Sequence, residues 1–269
     1  MSKVPNNKIT YLKEARKLIK NKEKIIKIRK RKRAIRRIVF FSIIIISIFI
    51  VLLLKLPYFN INKISVIGNN NITSKEIIEL SDICIGNNIF YVNSKKSEKN
   101  LLKNPYILSA KVEKKLPNKI VLNITERKAK LYVLNEGYYY IVDENSIVLE
   151  KKKNIDNQNL KRLLGANTDE IIVGKVLSFD DQNKIEIIKT LTNIINSSTI
   201  AKNIRMIDVS DIYDIKAYMG NLCIKLGDGE KLDEKFNRAF AIINKQDLEG
   251  QTGYINVSYD GNPVFFIKK

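Results

Sequence analysis

The sequence predicts an α+β protein: a single transmembrane helix, then a β-α-α-β-β module, then a second module built on a mixed α/β sheet. Three observations carry this reading. The run Ile38–Leu54, IVFFSIIIISIFIVLLL, is apolar apart from Ser42 and Ser47. Beyond Pro57 several short stretches alternate apolar and polar residues with a period of two, the mark of half-buried strands. Two further stretches, 178–197 and 232–244, place apolar residues three and four apart, the mark of helices that cover a sheet. With 269 residues the chain has room for two folded units besides an anchor.

The anchor comes first, at 35–56. At about 1.5 Å per residue the apolar run covers most of a hydrocarbon layer of about 30 Å. Its two serines are tolerated because each hydroxyl can bond back to its own helix. The run is longer than a signal-peptide core, and KLPYFNINK after it holds no small-residue cleavage site, so the segment is expected to stay in place. Residues 1–37 carry 16 Lys and Arg against 2 Glu, whereas the remaining 232 residues have a net charge of only +6. Basic flanks stay on the cytoplasmic side, so the tail 1–34 is expected inside and the bulk outside, a single-pass type II arrangement. Within the tail, Ile9, Leu12, Leu18, Ile19, Ile25, Ile26 and Ile28 have an imperfect helical spacing. That fits either a helix on an anionic lipid surface or an unstructured topogenic tail. A basic run alone is too unspecific to imply nucleic acid.

The first module, 57–127, begins with a strand through Ile64 and Val66 that stops at Gly68-Asn69-Asn70-Asn71. Thr73 or Ser74 caps a short helix with Ile77, Ile78 and Leu80 on it, closed by Gly86 and Asn87. A second helix, 94–104, ends before Pro105. A hairpin follows, with Ala110, Val112 and Leu116 on one arm and Ile120, Leu122 and Ile124 on the other, turning at Pro117-Asn118. This order yields a three-stranded sheet covered by two helices.

The second module, 128–269, opens on a hairpin of 138–142 and 146–149 around Asp143-Glu144-Asn145, followed by a polar loop over 151–159. Ser178 or Asp180 caps a helix to Ser197 that buries Ile185, Ile188, Leu191, Ile194 and Ile195. Strands at 205–209, 215–219 and 222–226 follow, then a helix from Leu232 to Asn244 that buries Phe236, Ala239, Phe240 and Ile243. GYINVSYDGNPVFFIKK closes the chain.

Chemistry is sparse. No histidine occurs, which removes the usual general base, the usual metal ligand and every Ser-His or Cys-His pair. Cys84 and Cys223 lie outside any zinc or redox spacing and read as small buried apolar residues, although a bridge between them is conceivable outside the cytoplasm. Asp208, Asp211 and Asp214 lack the glycine and bidentate glutamate of a calcium loop and read as a solvated strand end. Gly227-Asp228-Gly229 lacks the Lys-Ser/Thr of a phosphate loop and reads as a turn. No enzyme, cofactor, metal or small-molecule substrate is expected.

FNINKISVIGNNNITSKEII and LLKNPYILSAKVEKKLPNKIVLNITERKAK resemble the POTRA domain of the FtsQ/DivIB family of bacterial cell-division proteins. The residues that carry this are the Gly68-Asn69 turn, Asn104-Pro105-Tyr106, Leu116-Pro117 and Glu126-Arg127, in that order after a short anchor. Lys128-Ala129 departs from the family, where a proline commonly precedes the alanine. YYYIVDENSIVLE, MIDVSD, the strand pair ending at Leu226-Gly227, the helix bearing Lys235 and Tyr254–Ile267 resemble its β domain, so the likeness runs from about residue 35 to the end. It implies a divisome scaffold in the bacterial cell membrane, enriched at the septum, that binds the single-pass FtsB/DivIC and FtsL proteins and so helps control septal peptidoglycan synthesis. It also implies that the partner adds a strand to the carboxy-terminal edge. On this chain that edge is expected at Ile255, Val257 and Tyr259, with Asp260 and Gly261 at the turn and Val264 and Phe265 in the same sheet. A membrane-anchored POTRA chaperone or assembly factor for another envelope complex is the alternative. A POTRA protein of outer-membrane assembly would need a barrel larger than the residues after Arg127 can build.

Overall fold

A computed structural model describes residues 6–155, 159–197 and 200–268, with side chains described from residue 22 onward except 23, 25 and 28. Most of the tail's apolar positions, from Ile9 to Ile25 together with Ile28, therefore lie outside the described side chains, as does part of the expected 151–159 loop. The chain divides into two compact units, residues 1–62, 85–92 and 116–119 forming one and residues 63–84, 93–115 and 120–269 the other.

The first unit is dominated by α1 (Asn6–Lys55), one unbroken helix through the basic segment and the apolar run. Among the described residues it is the one helix long and apolar enough to cross a membrane, over Arg29–Lys55, and that stretch is uncovered by protein. Ser47 donates to the carbonyl of Ile43 at 2.9 Å, the back-bond that lets a hydroxyl sit in an apolar helix. The helix stops at Pro57. A ladder follows, in which Ile61 N–H donates to Asn87 O and Gly86 N–H to Ile61 O.

In the second unit, β1 (Lys63–Ile67), β2 (Ile107–Lys115) and β3 (Lys119–Glu126) form a sheet in the order β1-β3-β2, with α2 (Ser74–Ser81) and α3 (Ser94–Leu101). Thr73 caps α2 by accepting from Glu76 N–H, and Asn93 caps α3 by accepting from Lys96 N–H. Ile120, Leu122 and Ile124 alternate into the core as the period-two pattern requires. Three expectations are corrected. The left-handed residue that ends α2 is Asp82, not Gly86-Asn87. The next helix stops at Leu101, before the Asn104-Pro105 turn. Leu116 sits exposed at the tip of the hairpin instead of on its buried face.

A nine-stranded sheet makes up the rest of this unit: β4 (Leu131–Asn135), β5 (Tyr138–Val142), β6 (Val148–Lys152), β7 (Lys161–Leu164), β8 (Met206–Asp208), β9 (Ile215–Met219), β10 (Leu222–Gly227), β11 (Gly253–Asn256) and β12 (Val264–Ile267). Their order is β12-β11-β10-β9-β8-β7-β4-β5-β6. α4 (Asn183–Ser197) joins β7 to β8 and α5 (Leu232–Gln246) joins β10 to β11, while β7·β8 and β10·β11 are parallel pairs. Each helix thus makes the crossover that parallel neighbours demand. Their apolar faces, with Ile188, Leu191 and Ile195 on one and Phe236, Phe240 and Ile243 on the other, build one core against Ile207, Ala217, Ile224 and Ile255. β4 and β7 were not expected from the sequence, and Lys151 and Lys152, assigned there to a loop, are the end of β6.

Three lysines anchor this core. Lys184 reaches Ser210 O at 2.9 Å and Asp180 at 2.6 Å, and Lys235 reaches Asp228 O at 3.1 Å, so each buried ammonium fastens a helix start to a neighbouring turn. Lys161 lies on β7, where its ammonium donates to Lys202 O at 2.7 Å. The two cysteines are free thiols, Cys84 exposed and Cys223 half-buried, which corrects the reading of both as buried. Cys84 lies just beyond the end of α2.

Candidate functional site

The carboxy-terminal strands do not lie where the alternation of GYINVSYDG suggested. β11 is an interior strand, hydrogen-bonded to β10 on one side and β12 on the other. Ile255 and Val257 are fully buried in the core, and Val257 N–H donates to Lys225 O at 3.0 Å. The expectation that these two residues line the open edge is therefore corrected. The parallel crossover through α5 inserts β11 beside β10, and the antiparallel return then covers its far side. The open edge is β12, which carries Val264 and Phe265 of the expected set together with Phe266 and Ile267.

The local sequence explains how β12 is held. Gly253 faces β12 so closely that a Cβ there would stand 2.0 Å from the carbonyl oxygen of Phe266, so only glycine permits this pairing. The 257–263 connection is organised from α5: the Arg238 guanidinium donates to Val257 O at 3.1 Å, Tyr259 O at 3.1 Å and Gly261 O at 3.3 Å. Tyr259 is exposed, its hydroxyl on Asn262 O at 3.3 Å. Asp260 is exposed and stands 3.7 Å from Lys231. Arg238 was missed in the sequence. The available signal was a guanidinium flanking the apolar stripe Phe236-Ala239-Phe240, where a long cation is well placed to reach a neighbouring loop.

The hydrogen-bond alternation fixes which backbone groups are free. Gly253 and Val257 donate toward β10, so Tyr254 and Asn256 face β12, and Lys268 N–H continues that ladder to Thr252 O at 2.8 Å. In an antiparallel pair this leaves the N–H and C=O of Phe265 and Ile267 pointing away from the sheet. On the face opposite the helices, Phe266 stacks on Tyr254 with centroids 5.9 Å apart, and the Lys225 ammonium stands 4.6 Å from the Tyr254 ring. Val264, Phe265 and Phe266 are 44–56% exposed.

The other sheet edge is built differently. β6 reads VLEKK, and its outer side at Val148 is covered by residues 174–176: Val148 N–H donates to Lys175 O and Gly174 N–H to Val148 O. Charge and cover are the usual protections against strand addition, and among the described residues β12 has neither along Val264–Ile267.

Where the first module meets the large sheet, the Arg127 guanidinium donates to Asp143 Oδ2 at 2.9 Å, while Asp143 Oδ1 accepts from Asn145 and Ile147 N–H. Tyr106 donates its hydroxyl to Glu150 at 2.5 Å, and burial followed by that carboxylate pushes the phenol well above its ordinary pKa. Glu126 accepts from three successive backbone N–H groups, Asn70, Asn71 and Ile72, at 2.7–3.1 Å. Burial alone would raise its pKa, but those donors outweigh it and hold the carboxyl below the usual range. Asp208 and Asp211 each accept from a backbone N–H two residues on, and Asp214 pairs with Lys216 at 2.5 Å, so this acidic group is spent on turns.

Comparison with known proteins follows the same division. The family model for the FtsQ-type POTRA domain matches residues 59–127, and that for the C-terminal part of cell division protein FtsQ/DivIB matches residues 131–258. Cell division protein DivIB of Clostridium botulinum strain Hall is 38% identical over 248 residues, covering 92% of this chain and 97% of that protein. DivIB of Clostridium tetani is 40% identical over 230 residues, covering 85% and 87%. DivIB of Bacillus subtilis is 38% identical over 145 residues, covering 52% and 55%. The chain belongs to the FtsQ/DivIB family of cell division proteins.

Proposed function

We propose that this chain is a non-enzymatic scaffold of the divisome that holds FtsB/DivIC-like and FtsL-like single-pass proteins at the septum, capturing one of them by strand addition to β12. In this reading α1 spans the cell membrane once, with the basic tail in the cytoplasm and both modules outside. The observation that carries it is the contrast between the two sheet edges: β6 is charged and covered, β12 apolar and bare. A partner strand would satisfy the outward N–H and C=O groups of Phe265 and Ile267 while its side chains pack on the exposed aromatic residues.

The test is partner recovery from photo-crosslinked membranes with a reactive group at Tyr259 or Phe266. Phe265→Pro deletes an outward N–H that no neighbour in the sheet uses, so the module stays folded while partner recovery falls about tenfold or more, the effect of losing one hydrogen bond and its aromatic contact. Val257→Pro is the contrast, because it cuts the bond to Lys225 and unfolds the strand itself. Undiminished recovery with Phe265→Pro would remove β12 as the docking edge.

A further inference from the structure

We infer that the segment 85–92 and the hairpin tip 116–119 form a collar that lies in the outer lipid headgroup interface. Given a spanning α1, as proposed above, the depth of this collar follows from one pair of hydrogen bonds. The Asn88 side-chain amide donates to Leu53 O at 3.0 Å and to Leu54 O at 3.2 Å. The Leu53 carbonyl would ordinarily receive the N–H of residue 57, which is proline and has none, so Asn88 supplies the missing donor. A hydrocarbon layer of about 30 Å needs about 20 helical residues, which counted from Arg37 ends at Pro57. The carbonyls that Asn88 caps thus lie within about one helical turn of the bilayer boundary, where an unsatisfied carbonyl is costly.

Anything fastened to Asn88 shares that depth. Asn60 and Asn88 form a β-bridge, Phe59 and Phe90 rings stand 5.3 Å apart, and Asn62 N–H donates to Asn118 O at the hairpin tip, so the collar is joined to the helix end by several contacts. Its exposed side chains suit an interface. Tyr58, Ile85, Tyr91 and Leu116 are 62–67% exposed, an apolar and aromatic set that water alone would not favour, with Lys55 and Lys119 exposed nearby to meet anionic headgroups. The occupant of this surface is the membrane in which α1 sits.

The experiment uses the full chain in liposomes containing an anionic lipid, in a Cys84→Ser, Cys223→Ser background, with a nitroxide on one cysteine at a time: Tyr91→Cys, Leu116→Cys, Phe49→Cys inside α1, and Tyr213→Cys as the aqueous reference. Collisions with oxygen and with a water-soluble nickel chelate report depth. At 91 and 116 the nickel collision rate is expected to be several-fold below that at 213, with the oxygen rate raised. Nickel access at 91 and 116 equal to that at 213, while 49 reads as lipid, overturns the collar and spares the anchor. An aqueous reading at 49 overturns the anchor and the collar with it. Shielding of 91 and 116 from both reagents means that a protein covers the patch, which also overturns a lipid occupant.

Discussion

Asp143→Ala should destabilise the fold strongly although it lies outside the apolar core. Asp143 and Arg127 side chains are 3% and 17% exposed, and their contact ties the end of the first module to the β5-β6 hairpin of the second. Alanine strands a mostly buried guanidinium and leaves the Asn145 and Ile147 amides without the oxygen they share. Removing one partner of a buried pair costs about 3–5 kcal/mol, and because Arg127 keeps some solvent the lower end applies, about 3 kcal/mol. At about 2–4 °C per kcal/mol for a fold of this size, thermal unfolding of the detergent-solubilised chain should fall by about 6–12 °C. Arg127→Met in the same chain should restore part of the loss, since no unpaired charge then remains. A loss below about 1 kcal/mol, the size of an exposed pair, or no recovery in the double variant, would refute the assignment of this contact as a buried brace.

Two other predictions follow from local chemistry. Glu126 has a folded pKa below its unfolded value, so its contribution is complete above the ordinary carboxylate range and drains away as pH falls through the folded value. Glu126→Gln should therefore lower the neutral plateau of a stability-versus-pH curve and flatten its acid limb, and superimposable acid limbs would contradict this. Cys84 is exposed, whereas burial raises the half-buried Cys223 thiol, so maleimide at neutral pH should label Cys84 first and Cys223 chiefly after unfolding. Equal labelling rates in the native chain would count against the placement of Cys223 on β10.

Elements whose pattern is set by local sequence were legible: α2 from its cap, α3 from the proline that follows it, the β2-β3 hairpin from alternation, and α4 and α5 from their apolar stripes. Strands that exist only through distant partners were not. β7 is four residues, KRLL, between β4 and β8, and its buried lysine disguises it as a loop. The same cause displaced the docking edge. Ile255 and Val257 alternate like an edge strand with one wet face, but alternation reports which face is buried and says nothing about how many neighbours a strand has. Only the pairing of β12 on β11 shows that the outward backbone belongs to Phe265 and Ile267.

That reassignment changes what the edge can supply. Two outward residues offer about four backbone hydrogen bonds, worth about 0.5–1.5 kcal/mol each after exchange with water. The sum, about 2–6 kcal/mol, falls short of the 8 kcal/mol or so that micromolar binding needs, even before any cost of ordering the partner. The remainder has to come from side chains, and β12 has them in a form few edges do: Phe265 and Phe266 alternate across the strand, so a partner lying beside it meets one aromatic ring on each face of the sheet. Strand pairing then sets register and orientation while the rings set strength. Truncating either ring should consequently weaken capture more than removing one backbone donor does.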